Sequence, residues 1–493
     1  VVLGAAWASP PALHQPAISE PPYSAICVPA GRGDGTIADD VYALGVLLLT
    51  LVLGRQPLAD LDDTAIIERK LEFGSYAALT ETARLPQVIA DLLRGMLADD
   101  PDHRPSPALL TEPGSAAARR LAARSPRRAQ QVLLVAGRPV TSTRLLAYIL
   151  AKEPQAGLQL LRIGAVDYWV RRELGDPAIA ARLDEAIRGM RGENSDAVIV
   201  MRAIAVLDPL APLCWRTVTL WPDGVGPALA AADDPAAIVE LIMADAVGLW
   251  ARTRSERYDA IALQMEARRY RGWITSRDGN GLERMLYFLN PLLPCASPLL
   301  AGSWVASLAD LLPALERAAK TIERGKARPV DRDIMSFVAA RSDQRALDIG
   351  LVQHAGAAMT VGELRLLAGL QQLYHPAPLP RLAAWVAAHV HELLAGLHSK
   401  ARQAALAKRI ASLAEAGQLG PMLALVADRA EQLADASEYQ AATAELARID
   451  AELVRCRSDN TGRTEQARHW GQELAAGLGL AAAVATLLIA VLD

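Results

Sequence analysis

Apolar residues recur at helical spacing along most of the chain, so the pattern predicts a mainly α protein. Asp39 to Gly54 form one very apolar run. It is too short to cross a bilayer and is expected as a buried core helix. Pro86 to Leu97 show the one-sided apolar pattern of an amphipathic helix, with Pro86 in the first turn, where a missing N–H costs little. The turn signal "DDPDHRP" follows, then a short helix near Ser106 to Leu110. Before all of these, residues 1–36 carry Pro10, Pro11, Pro16, Pro21, Pro22 and Pro29 and read as loop.

"TEPGSAAARRLAARSPRRAQ" is small, basic and broken by Pro and Gly, which marks a linker over about 116–130. From 131 to 330 the pattern is again mostly helical. Thr143 and Asp176 are candidate N-caps, and "QQVLLVAGRPVT" is a short strand or hairpin. Helical periodicity continues over 331–472, where "AEQLADASEYQAATAELARIDAELVRC" reads as a helical hairpin or short coiled coil. No fixed-period repeat is evident. The last segment, 474–492, is "LAAGLGLAAAVATLLIAVL". It is uncharged and long enough for one membrane span, and the competing reading is an Ala-rich buried helix.

Composition adds little to this picture but excludes several classes. Net charge is -4 over 493 residues, so no overall positive field argues for nucleic acid. Cys27, Cys214, Cys295 and Cys456 lie far apart without any C-x-x-C, which speaks against a zinc ribbon or dithiol site and for a reducing compartment. The chain starts at Val1 with no basic-then-apolar leader. No signal peptide is therefore expected, and the chain is expected to begin inside a longer reading frame.

Candidate chemistry starts with "GRGDGTIADDVYALG", Gly31 to Gly45. Three glycines before a helix suggest a phosphate cradle, but there is no G-K-[ST], and Asp39 and Asp40 stand where phosphate would arrive. Carboxylates suit the positive end of a helix instead, so a tight turn is expected. "HELLAGLH" fails the zincin pattern because Ala395 occupies the place of the second His, and His389, His391 and His398 are expected at the surface. "WPDGVG" lacks the third glycine of a dinucleotide site, which leaves a turn at Asp223-Gly224. The RGD at Arg32 to Asp34 is a coincidence of three letters.

Two blocks carry a family resemblance. "DDVYALGVLLLTLVLGRQPL" resembles the D-x-W/Y-x-x-G helix of the protein-kinase C-lobe with its trailing G-x-x-P. "LPQVIADLLRGMLADDPDHRPSPALL" resembles the closing helix and D-P-x-x-R-P of the same lobe. Their order and spacing agree with a kinase over about residues 1–115, and the chain resembles bacterial serine/threonine kinase-like proteins with a long helical extension. The resemblance implies that Asp40 holds the backbone of a catalytic loop, that Gly45 completes the helix motif, and that Arg104 ties down the A-P-E segment. That segment falls near Cys27-Val28-Pro29 without its Glu, so Arg104 needs Glu20 or another acid as partner. Ala5 falls at the metal-binding Asp of D-F-G, and an alanine cannot hold Mg²⁺.

The expectation is thus a truncated kinase C-lobe (1–115), a linker (116–130), a helical accessory domain (131–330), a helical or coiled-coil region (331–472) and a transmembrane helix (474–492). No catalytic residue, metal or cofactor is expected in this chain; ATP and Mg²⁺ would belong to the longer parent if it is active. The inner membrane is the expected location, with the body in the cytoplasm and a protein partner or substrate of unknown identity. A non-enzymatic scaffold or sensor is the alternative.

Overall fold

The computed structural model describes residues 15–111, 126–188, 195–254, 258–275, 281–323, 326–342, 357–394 and 396–492. It is mainly helical, with two short antiparallel hairpins among the described residues. Two compact units divide the chain. The first runs to Cys295 and includes Ser336–Arg341; the second takes Ala296–Met335 and the remainder.

The first unit opens with short helical turns and then helix α1 (Ile37–Leu53). The Asp39 carboxylate starts it by accepting from the Thr36 N–H and hydroxyl, both at 2.9 Å, and Gly54 ends it in the left-handed region at φ 67°. α1 is not buried all round. It buries Val41, Tyr42, Gly45, Val46 and Leu49, while Ile37, Leu44, Leu47, Leu51 and Val52 are exposed. The run was too apolar for its sequence to show which face goes inward. Helix α2 (Asp63–Phe73) and helix α3 (Gln87–Met96) follow, and α1 packs on α3. "DDPDHRP" forms a 3-10 turn at Pro101–His103.

Most of the expected linker lies outside the described residues. Its end is fixed in place: Arg128 pairs with Glu72 at 2.8 Å and Arg127 with Asp176 at 3.3 Å. One continuous core, from Ala17 through Leu93 and Leu150 to Cys214, joins the segment before the linker to the segment after it. Apolar burial of this kind is the main stabilising term in folding.

After the linker comes a unit that occurs twice. Strands β1 (Leu133–Val135) and β2 (Arg138–Val140) form a hairpin whose turn residues Ala136 and Gly137 have φ 48° and 77°. Helices α4 (Thr143–Lys152), α5 (Pro154–Arg162) and α6 (Ala165–Arg172) follow. Ser142, not Thr143, caps α4 by accepting from Leu145 N–H at 3.2 Å. Gly164, in the left-handed conformation, turns the chain into α6, which buries Trp169. Helices α7 (Pro177–Ile187), capped by Asp176 as expected, and α8 (Ser195–Leu207) complete the unit.

Strands β3 (Leu213–Trp215) and β4 (Val218–Leu220) then repeat the hairpin in the same register 80 residues on, with Leu213 opposite Leu220 as Leu133 is opposite Val140. Helices α9 (Val225–Ala231), α10 (Ala236–Met243) and α11 (Ala246–Arg252) follow, with Asp245 left-handed at φ 56° in the place of Gly164 and Trp250 in that of Trp169. Helices α12 (Ala260–Thr275) and α13 (Gly281–Leu289) close the second core. A structural repeat is therefore present where the sequence showed none. Single spacings drift by a residue, and chemically different residues occupy matching positions.

In the second unit, Gly302, Val305 and Ser307 keep the spacing of Gly137, Val140 and Ser142 ahead of helix α14 (Leu308–Ala318). Helices α15 (Ala357–Tyr374), α16 (Pro380–Ala388), α17 (Lys400–Glu415) and α18 (Leu419–Val426) pack together. Helix α19 (Arg429–Leu492) runs 64 residues without interruption, so the expected helical hairpin is absent. Its apolar end is long enough to cross a membrane and is exposed.

Candidate functional site

Of the residues singled out by the kinase resemblance, Arg104 lies beside Tyr42. Its ring is fully buried, with Lys70 Nζ 5.0 Å from the centroid and Arg104 Cζ 5.2 Å from it. Two cations on one aromatic ring are tolerable only if their charges are met elsewhere. Lys70 donates to the carbonyls of Ala17, Ile18 and Glu20 at 2.8–2.9 Å, which uses all three ammonium protons. Burial pushes its pKa down to about 7, while Asp99, Glu20 and Asp63 pull it upward. Arg104 donates to the carbonyls of Ala98 and Ala38 at 2.9 Å and of Asp99 at 3.2 Å, and pairs with Asp39 at 2.9 Å. The acid that meets Arg104 is thus Asp39, at the start of α1. Glu20 instead pairs with Arg32 at 2.7 Å, and burial raises its pKa to about 7.

Gly45 lies where α1 meets α3; a Cβ there would stand 2.9 Å from Met96 Cβ. The two sequence blocks are therefore in direct contact. Asp40 is exposed in the first turn of α1, with no side-chain partner among the described residues. Ala5 lies outside the described residues.

The glycine-rich loop does not form a cradle. It lies along the second hairpin: Val28 N–H donates to Thr219 O at 2.9 Å, and Trp221 N–H donates to Gly31 O at 2.8 Å. The Asp223 carboxylate accepts from Asp34 N–H at 3.2 Å and fills the space where a Gly33 Cβ would sit. A Cβ on Gly224 would stand 2.2 Å from Gly31 O. The two glycine motifs thus dock backbone against backbone, and each needs glycine because of the other.

Beside this junction is the cavity of about 560 Å³. The loop contributes Arg32 and Thr36 to its wall, the second repeat contributes Trp221, Val225, Ile242 and Asp245, and α12 contributes Glu266 and Tyr270. No local pattern marks it, because its lining comes from segments far apart along the chain.

One histidine departs from expectation. His391 and His398 are exposed, the latter stacked on Tyr439 at 3.7 Å, but His389 is buried with Nε2 at 2.9 Å from Ala327 O. Glu392 of the same motif meets Arg328 at 2.7 Å beside Glu363, whose pKa burial raises to about 7. Among the described residues no three His, Cys, Asp or Glu side chains group as a metal site. No family model matches the chain, and no curated protein or solved structure matches it.

Proposed function

We propose that the chain is the tethered scaffold part of a bacterial serine/threonine kinase-like signalling protein. A kinase-like lobe fragment, degenerate where it would bind metal, acts as a folded platform. The helical repeats extend that platform, and 474–492 holds the whole at the inner membrane with the body in the cytoplasm. One observation carries the reading. The loop that would have to accept phosphate has its backbone and glycine faces engaged by residues 219–224. The contact of α1 with α3 through Gly45 supports the kinase-like ancestry.

The test has two arms. Calorimetric titration of purified 1–493 with Mg-ATP should give no saturable heat; micromolar binding or phosphate transfer to protein would overturn the scaffold reading. Membranes carrying the full chain should retain it through salt and carbonate washes, whereas a chain lacking 474–493 should be soluble. Release of the full chain would overturn the anchor.

A second reading, an active kinase in the longer protein, is favoured by Asp40. Its exposed carboxylate has no described partner at the position where, by resemblance, kinases hold their catalytic loop. An H-R-D-x-x-x-x-N motif and a strand lysine encoded upstream of Val1 would decide for it.

A further inference from the structure

Helix α19 lacks the cover that holds the other helices. Past Tyr439, which stacks on His398, every described residue of it is exposed. A helix in a folded protein draws most of its stability from a face packed on something else. The exposed surface of α19 is also patterned. Ala442, Leu446, Ile449, Leu453 and Cys456 follow at steps of four and three, and Ala467, Trp470 and Leu474 resume the same count. Leu446, Ile449, Leu453, Trp470 and Leu474 are 44–68% exposed in the single chain. The line is interrupted over 457–466, which holds no aliphatic residue and puts Arg463 on it.

Continued into the apolar end, the line runs through Gly477, Ala481, Val484, Leu488 and Val491. Nearly every residue there is apolar, so spacing alone says little, but the line carries two small residues four apart. A Cβ on Gly477 would meet nothing within 4 Å. Its own chain gives no packing reason for a glycine inside this helix, whereas a second helix at close approach does. Charge selects the orientation of such a helix. Glu445, Glu452 and Glu473 flank the line on one side. Two copies laid antiparallel would bring this acidic flank against itself. Laid parallel, Glu452 of one copy meets Arg457 of the other, and only Glu445 and Asp450 repel. Glu445 is already met by Arg448 of its own chain at 2.7 Å.

We propose that α19 is a dimer interface, through which two copies of this chain pair as a parallel, in-register coiled coil that continues into 474–492. The step of three and four makes the supercoil left-handed. The same residue meets itself at each height, so one apolar line is its own complement. With its flanking positions, the line over 442–491 comes to roughly 30 residues a side, the number found in a stable interface. The 457–466 stretch adds little and leaves the pair loose at its middle. A parallel pair is also the one that two chains anchored in the same sense in one membrane can form, and in that respect the inference rests on the anchor proposed above.

Cys456 supplies the readout, since it is exposed while Cys27, Cys214 and Cys295 are buried. The full chain is oxidised with copper phenanthroline, in washed membranes and in non-ionic detergent, and resolved on non-reducing gels. It should give a disulfide-linked dimer, and Cys456→Ser should give none. In the Cys456→Ser background, Ile449→Cys and Trp470→Cys should each restore the dimer. Ala451→Cys, on the opposite face, should give at least tenfold less. An antiparallel pair can bring at most one of positions 449 and 470 against itself. Leu446→Glu with Leu453→Glu should weaken dimerisation at least tenfold by light scattering in detergent; both side chains are exposed in one copy, so the change disturbs no packing within it. A monomer by light scattering, cross-linking no stronger at 449 and 470 than at 451, or disulfides to other proteins in place of the dimer would each overturn the proposal. If carbonate strips the chain from membranes while the detergent dimer persists, the anchor fails and the interface stands.

Discussion

The two repeats of the first unit share a hairpin register, a left-handed residue before the third helix and a buried tryptophan within that helix. They differ in how far these features are satisfied internally. In the first, Trp169 Nε1 donates to Gln131 O at 2.8 Å, and glycine makes the bend. In the second, Trp250 Nε1 and Asp245 Oδ1 are buried without partners, and the hairpin is crossed by a foreign loop. The first repeat is a finished structural element. The second keeps the same frame but leaves polar groups unmet beside a cavity. Duplication lets one copy hold the fold while the other departs from it.

The largest effects should come from the tryptophans. Trp169→Ala and Trp250→Ala are each expected to cost about 3–5 kcal/mol in denaturant unfolding, as for other buried aromatic truncations. The phenylalanine variants separate the repeats. Trp169→Phe leaves Gln131 O without its donor, whereas Trp250→Phe removes an N–H that has no acceptor, so the second should cost clearly less. Equal losses would mean that the repeats do not differ as described.

Next come the glycines. Gly224→Ala forces a Cβ against Gly31 O and should cost about 1–3 kcal/mol as overpacking, with loss of hydrogen-exchange protection at Trp221 N–H. Gly137→Ala, in the first hairpin, meets no atom within 4 Å. It carries only the backbone cost of its positive φ, about 1 kcal/mol. Smaller still is the exchange of the bend residues. Asp245→Gly should stabilise by roughly 1 kcal/mol and Gly164→Asp should destabilise by about as much, read as opposite shifts in Tm.

The last expected effect is a pH slope. The pKa of Glu20 is raised from 4.5 to about 7, so between those values the folded protein keeps a proton that the unfolded chain has released. Its contribution to stability is then full below pH 4.5 and falls as pH rises towards 7. Glu20→Gln should flatten that part of the stability profile, with the largest change in exchange protection along the loop that Arg32 holds. An unchanged slope in the variant would show that Glu20 titrates normally.

How much of this was legible depends on whether the signal was local. α1 and α3, the 3-10 turn at Pro101, the first hairpin and the Asp176 cap follow from short-range patterning, propensity and turn chemistry. The second hairpin was missed because Arg216, not Gly or Asn, takes the positive φ in its turn, and no hairpin dipeptide marks it. The exposed face of α1 was missed because Leu and Val occupy all its sides. The glycine motifs were read correctly as turns, but neither reveals that the other is its partner 190 residues away. Asp245 looked like any polar residue between helices. Only the repeat shows that its neighbour in kind is a glycine.

The uninterrupted α19 has an electrostatic consequence. Its residues from Arg429 to Glu473 rise about 68 Å as an α-helix before the apolar end begins. Charge on a lipid surface is screened within about 8 Å at physiological ionic strength. If 474–492 lies in the bilayer, a stiff helix of that length can hold its far end many screening lengths away from the lipid headgroups. Groups near Arg429 would then titrate and bind at bulk pH and bulk cation concentration rather than at the shifted values of a charged surface.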